Sequence, residues 1–559
     1  MFLRIFFLTA LIIFPSCQNS HQTSRISSSV TAQNGVVVCV DQNAARVGLE
    51  ILQKGGHAVD AAIATAFALA VTYPQAGNIG GGGFMMVRTS DGNVKAIDYR
   101  EKAPYQAHAR MFLNADGSED TITSNYGYKV AGVPGTVRGL EKAWKLYGKL
   151  PWSELINPAI RLAEEGFILE AAEARRLSEF APALKRFDET AHMFFKPDGS
   201  PYAEGELLIQ KELAATLRAI ADEGADVFYR GKIATQIADD MKAHGGLITH
   251  ADLAAYEAVV REPIRGNYRG YTIYSMPPPS SGGVTLIEML NILENFTLHD
   301  DTISTRRVIE TMRRSFLDRL VYLGDPDFSD IPVSALTDKA LARKLASWID
   351  SAHINAKMPA LAMKQEPTET THFSVIDKNG NCVTNTYTLE DNFGSKAVVT
   401  GLGFLLNNEM HDFDVFPDSN RFPGHGQKPN RIEPHKRMLS SMTPVIMLKE
   451  DKPFLITGSP GGKTIINTVL QIIIGMIDYG DSLRQAVDRP RLSHTWSPNV
   501  LSYEKDKLDE TRRAFLLRNG YILSEKPFIG DAHSIWIDPR TGYYHGEADQ
   551  RIMGYAAGY

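Results

Sequence analysis

Cysteine is scarce in this chain, with three residues, Cys17, Cys39 and Cys382, in 559. That count excludes a disulfide-stapled scaffold, and no spacing among the three is that of a metal site. A single Cys39–Cys382 disulfide is compatible with the count, but nothing argues for it, so stability must come from the core. A basic excess is also missing: Lys and Arg number 59 against 65 Asp and Glu, a net charge of −6. Nothing is available to neutralise a phosphate backbone, so nucleic acid is excluded as a partner. No apolar run approaches the roughly 20 residues of a membrane span. No repeat recurs at 20 to 50 residues, no low-complexity tract follows Ser29, and no long linker separates domains.

With 43% hydrophobic and 22% charged residues, the composition is that of a globular chain. At roughly 150 residues per domain the length allows three to four units or one large multilayer fold, and the missing linkers favour one compact α/β unit. Residues 35–40 (GVVVCV) predict a buried strand, residues 43–54 a helix stopped by Gly55 and Gly56, and residues 58–71 a helix apolar on nearly every face. Glycine- or proline-rich punctuation falls at 80–83, 276–283, 413–437 and 458–462. None of the four is a P-loop or a dinucleotide fingerprint, and each alone reads as a turn or a close approach of backbone.

Residues 1–16 carry Arg4, an apolar run at 5–14, then Pro15 and Ser16, the pattern of a secretory leader that is removed from the mature protein. Cys17 directly after it resembles a bacterial lipobox cysteine, although Phe14 stands where Leu is usual. Two readings stay open: plain export, periplasmic or secreted, or an outer-membrane-associated lipoprotein anchored through lipidated Cys17. Residues 17–30, rich in Ser, Gln and Thr, are expected to form a flexible tether.

The most informative segment is residues 369–394, ETTHFSVIDKNGNCVTNTYTLEDNFG. Two alternating runs flank Lys378, Asn379 and Gly380, which reads as a hairpin with glycine free for φ > 0. A three-residue loop pairs Asp377 with Asn381 and sets Thr370 beside Thr388, whereas a two-residue loop puts those threonines on opposite faces. We predict the three-residue loop. A mid-chain threonine has no base, but at a chain's first position its own α-amine reaches its hydroxyl and titrates near ~7.7–8.0. Catalysis by Thr370 therefore requires a cut between Glu369 and Thr370, which the Thr370 hydroxyl can itself make. The hairpin alone is equally a packed Thr-rich strand pair, and His372, without a fixed partner, reads as structural.

Residues 370–394 are similar to the signature of the γ-glutamyltranspeptidase family, and the resemblance extends over nearly the whole chain, through residues 76–84, 98–101, 277–283, 407–410, 439–442 and 458–462. It implies an N-terminal-nucleophile hydrolase with a four-layer αββα sandwich, made as a precursor and self-cleaved into a large subunit (31–369) and a small catalytic subunit (370–559) that stay together. It implies Thr370 as nucleophile, Thr388 as its hydroxyl partner, and Gly461 and Gly462 as the oxyanion hole, where backbone N–H groups approach closely. For the γ-glutamyl group it implies Arg100, Ser440 and Ser441 at the α-carboxylate, and Glu409 and Asp412 at the α-ammonium. Many relatives have Asn where this chain has Glu390. A third carboxylate there either strengthens ammonium binding or is held protonated by its neighbours. Phe422, on the loop 413–437, matches the aromatic that closes the pocket as a lid.

The implied activity is that of a γ-glutamyltransferase and glutathione hydrolase. Its partners are γ-glutamyl small molecules such as glutathione, with water, amino acids or dipeptides as acceptors, and no metal or organic cofactor is implied. Two rivals are carried. A cephalosporin or glutaryl acylase of the same fold takes substrates without the α-ammonium, which the retention of Asp412 argues against. A non-catalytic envelope binding protein is expected to have lost Thr370, Thr388 or the paired glycines, and this chain keeps them all.

Overall fold

The computed structural model describes residues 25–351, 369–416 and 428–559. Side-chain alternation explains its layering. In the strand Gly35–Cys39, Val37 and Cys39 face one way and Val36 and Val38 the other, and all are buried, so the strand is covered on both faces. Val37 and Cys39 pack beneath the helices Gln42–Gln53 and Ala58–Thr72. Val36 and Val38, with Phe84, Met86 and Ile376, meet Ile446, Ile456 and Ile535 of a second sheet. On its far side that sheet turns Val445, Met447 and Leu455 toward the helices Gly282–Leu293 and Thr464–Ile477. Helix, sheet, sheet, helix is the αββα sandwich expected.

Among the described residues the first sheet has eight strands, in the order Arg25–Ser27, Tyr555–Gly558, Gly35–Cys39, Thr371–Asp377, Cys382–Thr388, Gly82–Arg88, Val94–Tyr99 and Val259–Arg261. The second has seven, in the order Ser29–Ala32, Tyr544–Ala548, His533–Ile537, Lys452–Thr457, Val445–Lys449, Tyr271–Ser275 and Ile264–Tyr268. The hairpin that begins beside Thr370 therefore lies inside the first sheet, between Gly35–Cys39 and Gly82–Arg88, two strands from the N-terminal part of the chain. Among the described residues no helix is long and apolar enough to cross a membrane.

Local chemistry accounts for the elements around it. The first helix ends in a Schellman turn, with Gly55 N donating to Leu52 O and Gly56 N to Ile51 O, and Gly55 takes the required positive φ of 90°. Every residue of Ala58–Thr72 is buried. Ala58 N donates to Asp377 Oδ2 at 2.9 Å, so the turn of the hairpin caps the helix beneath it.

Two expectations need correction. The tether does not run to residue 30: Arg25–Ser27 pairs with Tyr555–Gly558, and Ser29–Ala32 pairs with Tyr544–Ala548. Its polar composition hides an alternation in which Val30 and Ala32 are buried and Ser29 and Thr31 exposed. The open question of a disulfide is also closed. The strand Thr371–Asp377 lies between the strands of Cys39 and Cys382, and both cysteines are free and buried. Burial pushes the Cys382 thiol up to about 12 and that of Cys39 higher still, the state of an inert core thiol. The leader, Cys17 and Phe422 lie outside the described residues.

Candidate active site

The hairpin has the predicted register. Thr371 faces Tyr387 and Ile376 faces Cys382, Asp377 N donates to Asn381 O at 3.1 Å, and Gly380 closes the three-residue loop at φ 78°. Thr370 and Thr388 are thereby brought side by side at the open end. The chain is continuous through Glu369 and Thr370, so the Thr370 nitrogen is an amide. The Thr370 hydroxyl donates to the Glu369 carbonyl oxygen at 2.6 Å and the Thr388 hydroxyl donates to the same oxygen at 3.1 Å. Glu390 N donates in turn to Thr388 Oγ1 at 2.8 Å, which leaves the Thr388 proton for the carbonyl. Two donors on one carbonyl oxygen polarise that peptide bond.

The run of glycines at 80–83 explains how Thr388 is held. Asn78 Nδ2 donates to Thr388 O at 2.9 Å, while Asn78 Oδ1 accepts from Gly81 N at 2.9 Å and from the Thr136 hydroxyl at 2.7 Å. A Cβ on Gly81 would sit 2.1 Å from Thr388 O, so only glycine allows this approach. His372, two residues from Thr370, is fully buried among the hydroxyls of Thr386, at 2.8 Å, and Ser374, at 3.2 Å. Burial holds its pKa well below the ordinary range, so it is neutral and has no carboxylate to orient it as a base.

Gly461 and Gly462 lead into the N-terminus of the helix Thr464–Ile477 with φ of 131° and 53°. Thr464 N and its hydroxyl donate to Gly461 O at 3.0 and 2.7 Å, and Ser459 Oγ accepts from Asp531 N at 2.9 Å, anchoring the loop on both sides. Gly462 lines a cavity with Thr370, Thr388, Glu390 and Ser440, and Gly461 is not among its lining residues. About 30 Å³ stands open there, room for about one or two waters.

The other wall is acidic around one cation. Arg100 is 1% exposed. Its Nη1 lies 2.6 Å from Glu409 Oε2 and 3.5 Å from Glu101 Oε2, and Nη2 pairs with Asp412. The groups expected to divide between carboxylate and ammonium therefore pair with each other. Burial, opposed by Arg100, pushes Glu101 up to about 8 and holds Glu409 well above the carboxylate range. Burial also pushes Glu390 up to about 7 against the pull of His411, whose Nδ1 lies 2.7 Å away, and Asn408 Nδ2 donates to its other oxygen. Ser440 Oγ accepts from Met442 N at 3.2 Å, and Ser441 Oγ accepts from Arg319 Nη2 at 2.8 Å.

Sequence reasoning brought Thr370, Thr388, Gly462, Arg100, Glu390, Glu409, Asp412, Ser440 and Ser441 to this one cavity. It missed Asn78, Glu101, Asn408, His411 and Arg319. Glu101 follows Arg100 inside a segment already singled out, and Asn408 and His411 flank Glu409, so proximity was a usable signal for three of them. Arg319 lies in a helix with four other arginines, where nothing marks it.

Paired sheets between helical layers, with a threonine hydroxyl on the carbonyl just before it at the head of an inner strand, define the class: an N-terminal-nucleophile hydrolase precursor. Residues 44–559 match the family model Gamma-glutamyltranspeptidase. The chain is 44% identical over 542 residues to the glutathione hydrolase proenzyme of Escherichia coli, covering 95% of this chain and 93% of that protein. Its fold superposes on the cephalosporin acylase of Bacillus halodurans with a TM-score of 0.84 at 29% identity, over 98% and 99% of the two chains. A chain of the Helicobacter pylori γ-glutamyltranspeptidase is 42% identical with a TM-score of 0.56, over 59% of this chain and 96% of that one. The protein belongs to the γ-glutamyltranspeptidase family.

Proposed function

We propose that this protein is a self-processing γ-glutamyltransferase and glutathione hydrolase, and that its first substrate is its own Glu369–Thr370 bond. The observation that carries the reading is the convergence of the Thr370 and Thr388 hydroxyls on the Glu369 carbonyl oxygen. Thr370 Oγ1 adds to the Glu369 carbonyl carbon, the C–N bond breaks, and the hydroxyl proton passes to the leaving nitrogen. Water then hydrolyses the ester, releasing the large subunit with Glu369 as its terminus and the small subunit with Thr370 as its first residue.

The freed α-amine is the base the uncut chain lacks. In turnover it takes the Thr370 proton as Oγ1 attacks the γ-carbonyl of glutathione or another γ-glutamyl amide, then hands it to the departing amine. Gly461 and Gly462 receive the oxyanion, and losing such a donor typically costs about 10²- to 10³-fold in rate. The acyl-enzyme passes to water or to the amine of an amino acid or dipeptide. Ser440 and Ser441 take the α-carboxylate with Arg100. Glu409 and Asp412, both paired with Arg100, take the α-ammonium. Glu390 adds a further carboxylate to that wall.

The acylase reading draws support from the likeness to the cephalosporin acylase, but an acidic wall around Arg100 suits a group bearing an ammonium better than a glutaryl chain. The leader at 1–16 supports export, with Cys17 as the point of anchoring if it is lipidated. Intact mass measurement tests the core of the proposal. The wild type should give two chains with a new amino terminus at Thr370, and Thr370→Ala a single uncut chain. A folded wild type that stays whole would leave no free amine and end the enzyme reading. Faster turnover of glutaryl than of γ-glutamyl anilides would instead favour the acylase.

A further inference from the structure

A buried arginine stands behind the serines of the carboxylate wall. Arg319, on the helix Thr302–Tyr322, is 4% exposed. Its Nε donates to Ser281 Oγ at 2.9 Å and its Nη2 to Ser441 Oγ at 2.8 Å, while the Ser281 hydroxyl donates onward to the Ser440 carbonyl at 2.6 Å. One guanidinium thus fixes both neighbouring serines from outside the cavity, using two of the donors in its planar fork.

The consequence is directional. A hydroxyl has one proton and two acceptor lone pairs. With one lone pair of Ser441 engaged by a guanidinium N–H, its proton is left for another acceptor, and Ser441 lines the cavity. A hydroxyl that accepts a charge-assisted bond is polarised and donates more strongly. Arg100, the cation that lines the cavity itself, is already shared between Glu409 and Asp412.

We propose that Arg319 is a positioning residue that turns the Ser441 hydroxyl into an aimed donor for the substrate α-carboxylate, so that selectivity for this group depends on a cation that never touches it. The inference rests on the γ-glutamyl reading above. Kinetics on two p-nitroanilides separate the two, γ-glutamyl and 4-aminobutyryl, the second keeping the ammonium and lacking only the α-carboxylate. The wild type should prefer the γ-glutamyl anilide, and equal kcat/KM on both would sink the γ-glutamyl reading and this proposal with it.

In matured Arg319→Gln, kcat/KM on the γ-glutamyl anilide should fall about 10- to 100-fold, the worth of one charge-assisted hydrogen bond, mostly through KM. The 4-aminobutyryl anilide should change by less than about threefold. Equal falls on both substrates would mean that Arg319 only supports packing, and would overturn the proposal. If Arg319→Gln does not mature, Arg319→Lys and Ser441→Ala carry the test. Lysine should lower the preference for γ-glutamyl over 4-aminobutyryl, and should cost nothing further once Ser441 is alanine. Independent, additive losses would overturn it.

Discussion

His411 Nδ1 lies 2.7 Å from Glu390 Oε1, and both side chains are buried, at 3% and 4% exposure, with Glu390 in the wall of the candidate cavity. The Glu390 carboxyl thus has a partner of its own, and burial still pushes its pKa up to about 7. The folded chain therefore holds this proton at pH values where the unfolded chain has lost it. Between the ordinary value of 4.5 and about 7, stability falls as pH rises. In the uncut Thr370→Ala protein, Glu390→Gln should remove that loss. Denaturant melts of Glu390→Gln against its parent should show a stability gain of the order of 1–3 kcal/mol at about pH 8 over that at about pH 5. An offset that does not change with pH would show that Glu390 has an ordinary pKa.

In the proposed mechanism Thr388 has a part in processing as well as in turnover, because its hydroxyl donates to the Glu369 carbonyl oxygen. Thr388→Ala should slow the appearance of two chains on the order of 10²-fold, the typical loss of one oxyanion donor. A time course of purified precursor on denaturing gels reads this directly, and unchanged kinetics would remove Thr388 from the processing step.

Gly81 is a packing requirement with a functional consequence. A methyl there would lie 2.1 Å from Thr388 O, and the backbone must shift to relieve it. Gly81→Ala in the Thr370→Ala background should lose about 1–3 kcal/mol or more in denaturant melts, as overpacked sites do. On the wild-type background the shifted Thr388 should also slow maturation. Full stability would mean that the hairpin and the glycine run are less tightly joined than the structure has them.

Asp412 pairs with Arg100 and, in the proposed mechanism, takes the substrate ammonium. Asp412→Asn should raise KM for a γ-glutamyl anilide by about 10- to 100-fold, as expected for a hydrogen bond to a charged group, and move the ratio of γ-glutamyl to glutaryl turnover toward glutaryl. A fall in kcat with KM unchanged would show that Asp412 acts on the chemical step instead.

Some of this was legible in residues alone because it is local. The hairpin register follows from the three residues Lys378, Asn379 and Gly380, and with it the adjacency of Thr370 and Thr388. The wholly buried helix Ala58–Thr72 was visible as a run apolar on nearly every face, and Gly55 and Gly56 as the stop of the helix before it. The strand Ser29–Ala32 was missed because four residues of alternation, half of them Ser and Thr, carry too little hydrophobic signal to stand out from a polar tail.

What residue identity and short-range spacing determined was the hairpin, the adjacency of Thr370 and Thr388 and the charge types available to the site, while the roles assigned to those residues came with the family resemblance. The tertiary structure alone decided how those charges are shared: Arg100 between Glu409 and Asp412, Glu390 against His411, and Ser441 fixed from behind by Arg319. These contacts join residues far apart in the chain or on different elements. Their strength comes from burial that many segments create together, and no single segment records it.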